Sequence, residues 1–265
     1  MLPNHPSSAL SVRVLIRPWR VFLTCGHEMS RVHAEPAAAT PTTVGQGQTR
    51  ASKGYERAQG TAARGSDPMN HACDVISAAK DLEDLLRYGK KMVECGLVSA
   101  HAGNISKRIG NAMLISMHGG MLDALEAKIV QVTLDPPSPL DHLASSELPM
   151  HRAIYQQTEA KAVFHGHGRF SIIESLSTEA AHITPVDSES AYYLPVIPII
   201  EGQSGTDELG HAAAVALKEH RGALIRGHGV VTKGASVEEA YAMLAVIEQA
   251  CHIRYHLALA RALNR

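Results

Sequence analysis

The sequence predicts a mixed class, α/β or α+β, on three observations. From Asp74 onward, stretches with apolar residues at helical spacing alternate with short apolar runs bounded by Gly and Pro, which reads as helices interspersed with strands. The chain has 265 residues, enough for one generous domain or two small ones with a substantial core. No internal repeat divides it, and the one change of texture falls near residue 68.

The elements follow in order. Val75, Ala79, Leu82, Leu86 and Val93 fall at helical spacing, and Gly96 is a C-terminal stop. A small-residue turn, GLVSAHAGNIS, leads to a short strand MLIS at 113–116, and the prolines of DPPSPLDHL (135–143) mark a surface loop. SSELPMHRAIYQQ begins a helix whose cap is Ser145 or Ser146, since a hydroxyl accepts from free backbone N–H groups. Strand KAVFH, helix 169–178, strand PVIPII (195–200), helix 206–219 capped by Thr206, and strands ALIRG and VVTKG come next. The last helix opens with a capping box, Ser236 and Glu239, and carries Val237, Tyr241, Leu244, Ile247, Cys251 and Tyr255 on one face.

Residues 1–68 are rich in Ala, Thr, Ser, Gly, Pro and Arg, hold few acids and contain segments such as AEPAAATPTTVGQGQTRASKG with no apolar periodicity, so most of this segment is expected to be disordered. Arg13, Arg17, Pro18 and Arg20 interrupt its apolar stretch, well short of the roughly 20 clean residues of a membrane span. Two readings stay open: an organelle transit peptide, or an extension ahead of a start at Met69. Residues 69–265 hold the domain. A formal net charge of -1 gives no electrostatic reason to expect nucleic acid or an anionic membrane as partner. Cys25, Cys73, Cys95 and Cys251 form no CxxC pair, which reads as reduced thiols in the cytoplasm.

Histidine stands out, with sixteen residues against three Phe and one Trp. In KAVFHGHGRF (161–170), His165 and His167 lie two apart at a strand end and point to one side if the strand persists. The glycine between them leaves space for a cation. LIRGHGVV (224–231) repeats the design and makes His228 a third ligand. Three imidazoles leave the fourth position of a tetrahedral Zn²⁺ open, as at catalytic zinc sites, and Mn²⁺, Co²⁺ or Fe²⁺ would also suit the donors. Glu147 supplies a carboxylate for proton transfer, and the helix start behind Ser145 and Ser146 offers a seat for phosphate. His151, four residues on, shares the helix face of Glu147 and reads as a supporting hydrogen-bond partner. His211 and His220 read as surface residues, His252 and His256 as facing solvent or a neighbouring helix, and His101 borders the AGN turn.

Five stretches in order, GLVSAHAGNIS, MLISMHGGMLDAL, SSELPMHRAIY, AVFHGHG and GTDELGHAAAVALKEHRGALIRGHGVV, resemble the class II aldolase/adducin family. The resemblance runs from Asp74 to the C-terminus and has no counterpart in 1–68. It implies the α/β class, as a single three-layer α/β/α domain around a central, mostly antiparallel sheet. It implies metal ligation by His165, His167 and His228, with Glu147 as a catalytic residue that ligates or leaves the metal. The phosphate pocket falls on Asn104, His118, Gly119, Ser145 and Ser146. A homo-oligomer, commonly a tetramer, is implied, with a small phosphorylated sugar as substrate.

Two departures matter. Ser116-Met117-His118-Gly119 stands where family aldolases carry a Thr-Pro-Thr-Gly type turn, so imidazole replaces a phosphate-binding hydroxyl. The family's proton donor falls in ITPVDSESAYYLPV, where Asp187, Glu189, Tyr192 and Tyr193 compete. The resemblance implies a divalent-metal-dependent aldolase that cleaves a ketose 1-phosphate to dihydroxyacetone phosphate and a small aldehyde through a metal-stabilised enediolate. A sugar-phosphate dehydratase of the methylthioribulose phosphate type, an epimerase, and an adducin-like interaction domain are the alternatives.

Overall fold

The computed structural model describes residues 14–17, 20–23, 68–99 and 101–264. Val14–Arg17 (β1) and Arg20–Leu23 (β2) pair as an antiparallel hairpin. The rest of the expectation for 1–68 lies outside the described residues, apart from Pro68.

Eight strands form an open sheet: β3 (Asn104–Ile109), β4 (Ala112–Ser116), β5 (Ile129–Thr133), β6 (Ala162–Gly166), β7 (His182–Ile183), β8 (Ile197–Ile200), β9 (Gly222–Ile225) and β10 (Gly229–Gly234). Their order is β5-β4-β3-β6-β10-β9-β8-β7. Every pairing is antiparallel except β8 with β9, so the sheet is mixed and mostly antiparallel, as expected.

Because successive strand residues point to opposite faces, the sheet divides the apolar core in two. Phe164, Leu114, Leu224 and Val230 face one side, where they meet Leu85 and Met92 of α1 (Pro68–Glu94) and Leu244 and Ile247 of α6 (Val237–Leu263). Val163, Ile115, Ile225 and Val231 face the other, against Ile154 of α2 (Leu148–Gln157) and Ala213 and Leu217 of α5 (Asp207–Glu219). Two short helices, α3 (Arg169–Leu176) and α4 (Ser188–Tyr193), pack against α6.

The end signals read from the sequence have physical counterparts. Gly96, at φ 69°, closes α1: its N–H donates to Val93 O and the N–H of Leu97 donates to Met92 O, the paired bonds of a Schellman motif. Ser236 Oγ accepts from Glu239 N at 3.1 Å, and Glu239 reaches back to Ala235 N. Thr206 Oγ1 accepts from Leu209 N at 3.2 Å.

Four expectations need correction. The α1 stripe sits one position round: Leu85, Tyr88 and Met92 are buried, while Leu86 and Val93 are partly buried. The turn GLVSAHAGNIS ends as strand β3, because Asn104 and Ser106 find polar partners on α2 and Ile105 packs into the core. Strand β5 has no counterpart among the elements read from the sequence. The cap of α2 is Glu147, which makes no side-chain cap bond; Ser145 accepts from Glu147 N through its hydroxyl (3.3 Å) and from Leu148 N through its carbonyl (3.0 Å). No helix among the described residues is long and apolar enough to cross a membrane.

Candidate active site

The site lies where β6 ends, where β3 begins, and at the turn between β9 and β10. His165 is the fourth residue of β6 and pairs in register with Asn104 of β3 on one side and Val231 of β10 on the other. His167 follows directly after the strand, and His228 N donates to Ile225 O across the β9–β10 turn. The three rings face one another almost symmetrically, with every pair of centroids 4.7 Å apart and interplanar angles of 66°, 66° and 71°.

Their Nε2 atoms converge. His165 Nε2 lies 2.9 Å from that of His167 and 3.3 Å from that of His228. The carbonyl of Val230, an acceptor only, takes the Nδ1 proton of His165 at 2.9 Å, which leaves a lone pair on Nε2, the orientation typical of a metal-ligating imidazole. Burial first, then the adjacent His167 and His228, push the pKa of His165 well below its ordinary range; burial and His228 lower that of His167 to about 4. Both rings are neutral near pH 7, the form that binds metal. Nitrogens bound at about 2.0–2.1 Å to a tetrahedral zinc lie about 3.3 Å apart, so the donor set fits a divalent cation. Among the described residues this is the one His/Cys/Asp/Glu cluster of metal-binding compactness.

The glycine between the histidines has a different job from the one the sequence suggested. A Cβ on Gly166 would meet Leu244 and the Leu97 carbonyl at 3.0 Å, so this position faces α6, away from the rings. It is small for close packing and provides no space for a cation.

Glu147, only 3% exposed, lines the same cavity of about 270 Å³ as the three histidines. Its carboxylate stands outside the compact cluster formed by the three rings. Ser204 donates to Oε1, while Oε2 is buried without a protein partner. Asn104, His118, Gly119, Ser145 and Ser146 line the cavity too, so the candidate metal ligands, Glu147 and the candidate phosphate contacts are gathered there. The N-terminus of α2 is a poorer phosphate seat than expected, because Ser145 takes the N–H groups of Glu147 and Leu148, and Pro149 has none. Side-chain donors that line the cavity include Ser145, Ser146, Asn104 and His118.

Ser204, on the loop before α5, is not among the residues singled out from the sequence: a lone serine in GQSGT carries no periodic or motif signal. His101 lines the cavity as the bordering residue expected, with Nδ1 3.0 Å from Gly119 O. None of Asp187, Glu189, Tyr192 and Tyr193 lines it. Asp187 caps α4, accepting from Ser190 N at 2.9 Å; burial raises its pKa, but the Ser190 bonds outweigh that and hold it below the ordinary value. Tyr192 is 81% exposed. His252, expected at the surface or against a helix, stacks on Phe170 with centroids 4.2 Å apart.

The model of the "Class II Aldolase and Adducin N-terminal domain" matches residues 83–255. The chain belongs to this family. It is 28% identical over 183 residues to a 5-deoxy-D-ribulose 1-phosphate aldolase of Bacillus thuringiensis, covering 66% of this chain and 84% of that one. It is 30% identical over 185 residues to a methylthioribulose-1-phosphate dehydratase of Gluconobacter oxydans, covering 62% and 86%. The crystal structure of an L-fuculose-1-phosphate aldolase from Thermus thermophilus superposes with a TM-score of 0.66 at 30% identity, covering 69% of this chain and 97% of that one. Aldolases and dehydratases of this kind are lyases, and this family member is a divalent-metal-dependent lyase.

Proposed function

We propose that residues 69–265 form the catalytic domain of an aldolase that cleaves a ketose 1-phosphate to dihydroxyacetone phosphate and a small aldehyde. One observation carries the proposal: three converging imidazoles, a buried carboxylate with an unpartnered oxygen, and a set of hydrogen-bond donors share one cavity of about 270 Å³. That volume is at the small end for ligand sites and suits a short phosphorylated sugar.

His165, His167 and His228 would hold the divalent cation, zinc by ligand type. When bound, that cation supplies Lewis acidity at the substrate carbonyl and adjacent hydroxyl oxygens. Asn104, His118, Ser145 and Ser146, with the turn at Gly119, hold the phosphate and so fix the reacting carbons relative to the triad, the positioning part of the rate. Glu147 Oε2 takes the proton of the substrate hydroxyl as the carbon–carbon bond breaks and the aldehyde forms. The bond's electron pair passes to the neighbouring carbon and its carbonyl, and Glu147 returns the proton to that carbon. Ser204, donating to Oε1, keeps the carboxylate turned so that Oε2 is the working oxygen. With the four side chains of 187–193 outside the cavity, Glu147 is the one carboxylate lining it, and the proton is assigned to it.

The similarity to the Gluconobacter dehydratase favours a second reading, loss of water from the same class of substrate. Incubating the metal-loaded protein with a panel of ketose 1-phosphates and weighing the products separates the two. Cleavage yields dihydroxyacetone phosphate plus an aldehyde; a single product lighter by one water contradicts the aldolase reading. A reducing compartment such as the cytoplasm suits the free thiols of Cys95 and Cys251. A homotetramer is the assembly proposed; the exposed Tyr255, Leu259 and Leu263 late in α6 offer apolar surface for it.

A further inference from the structure

Behind Asn104 runs a buried polar chain whose other members, Tyr155, Ser106 and His151, have no part in the proposed reaction. Tyr155 Oη, Ser106 Oγ, the His151 ring and Asn104 Oδ1 follow one another at 2.7, 2.6 and 2.5 Å. Ser106 and His151 are 0% exposed and Tyr155 is 1% exposed. We infer that His151 is a positioning residue, which clamps the Asn104 side-chain carbonyl so that only the amide N–H₂ faces the cavity, making that end a donor surface for an anionic group such as phosphate. The inference rests on reading Asn104 as a contact of the phosphorylated substrate.

The direction of the chain decides the sign of what Asn104 presents. Oδ1 is an acceptor only, so His151 donates from Nε2. Burial keeps the ring neutral, lowering its pKa to about 3, so Nδ1 has a lone pair and accepts from the Ser106 hydroxyl. With its proton committed, Ser106 accepts from the Tyr155 O–H. Running the chain the other way would turn the Asn104 amide toward His151 and its carbonyl oxygen into the cavity, where it would repel an anion. Because Asn104 pairs in register with His165, the oriented amide also stands at a fixed place relative to the triad.

The test is inorganic phosphate binding to the metal-loaded protein, measured by calorimetry without turnover. Asn104→Ala is expected to weaken phosphate about tenfold, the scale of one hydrogen bond to a charged group. His151→Asn, which removes the Nε2 donor, is expected to do the same. His151→Gln, whose amide can replace that donor, should return the affinity to within about threefold of wild type, an outcome that loss of packing alone would not give. The double variant Asn104→Ala/His151→Asn should bind no more weakly than Asn104→Ala, since both act through one amide. Wild-type phosphate affinity in Asn104→Ala or in His151→Asn, or additive losses in the double variant, overturns the inference. Should His151→Asn fail to fold, Ser106→Ala frees the ring to turn and carries the same expectation, and wild-type affinity in that folded variant overturns it equally. Product analysis tests the aldolase reading separately: no cleavage beside the expected phosphate series would sink that reading and leave this one standing.

Discussion

Glu147 and Ser204 are the pair on which proton transfer turns. Glu147→Gln removes the base at nearly constant shape, and turnover is expected to fall by about 10²–10⁴-fold while metal content holds; steady-state rates beside metal analysis check both halves. Ser204→Ala frees Oε1 to rotate, and turnover is expected to fall about tenfold, a loss the scale of one hydrogen bond to a charged group. The two residues are unequally legible in the sequence. Glu147 can be picked out because it directly follows two serines at a helix start, whereas Ser204 reaches it from fifty-seven positions away, a contact no local pattern encodes. Asp187 shows the converse: its place in the chain suggests a proton donor, but its carboxylate caps a six-residue helix.

At the scale of elements, sequence patterns locate the helices better than the strands. Helix stops and starts rest on local chemistry, as with Gly96 after α1 and Ser236 before α6, and those bonds form as read. Ser236→Ala should cost about 1 kcal/mol, measurable by urea unfolding. Strand β3 is hidden because its N-terminal half carries Asn104 and Ser106, polar residues whose partners lie on α2. The role of Gly166 is obscured for a related reason, since only the packed sheet reveals that it faces Leu244. Gly166→Ala crowds that contact and the Leu97 carbonyl, and a loss of about 1–3 kcal/mol is expected. The same unfolding experiment reports it, and wild-type stability would contradict the packing role.

The whole molecule places a neutral polar chain and a histidine triad inside a sheet with core on both faces, and stability should therefore depend on pH. An exposed histidine in the unfolded chain titrates near 6.5, but His151 in the folded protein does so only at about 3. Between these values the unfolded state binds a proton that the folded state refuses, so stability falls as pH drops from about 6.5 toward 3 and is fully present above that window. His151 alone should account for about 2 kcal/mol between pH 7 and pH 5. Urea unfolding at those two pH values should show a drop smaller by that amount in His151→Gln. An equal drop in the two proteins would contradict the account of His151.

The central claim, that His165, His167 and His228 together hold one divalent cation, is tested most directly by counting metal on the purified protein. About one ion per chain is predicted for the wild type and almost none for His228→Ala, with the fold retained by circular dichroism. A His228→Ala protein that keeps the wild-type metal content would contradict the claim.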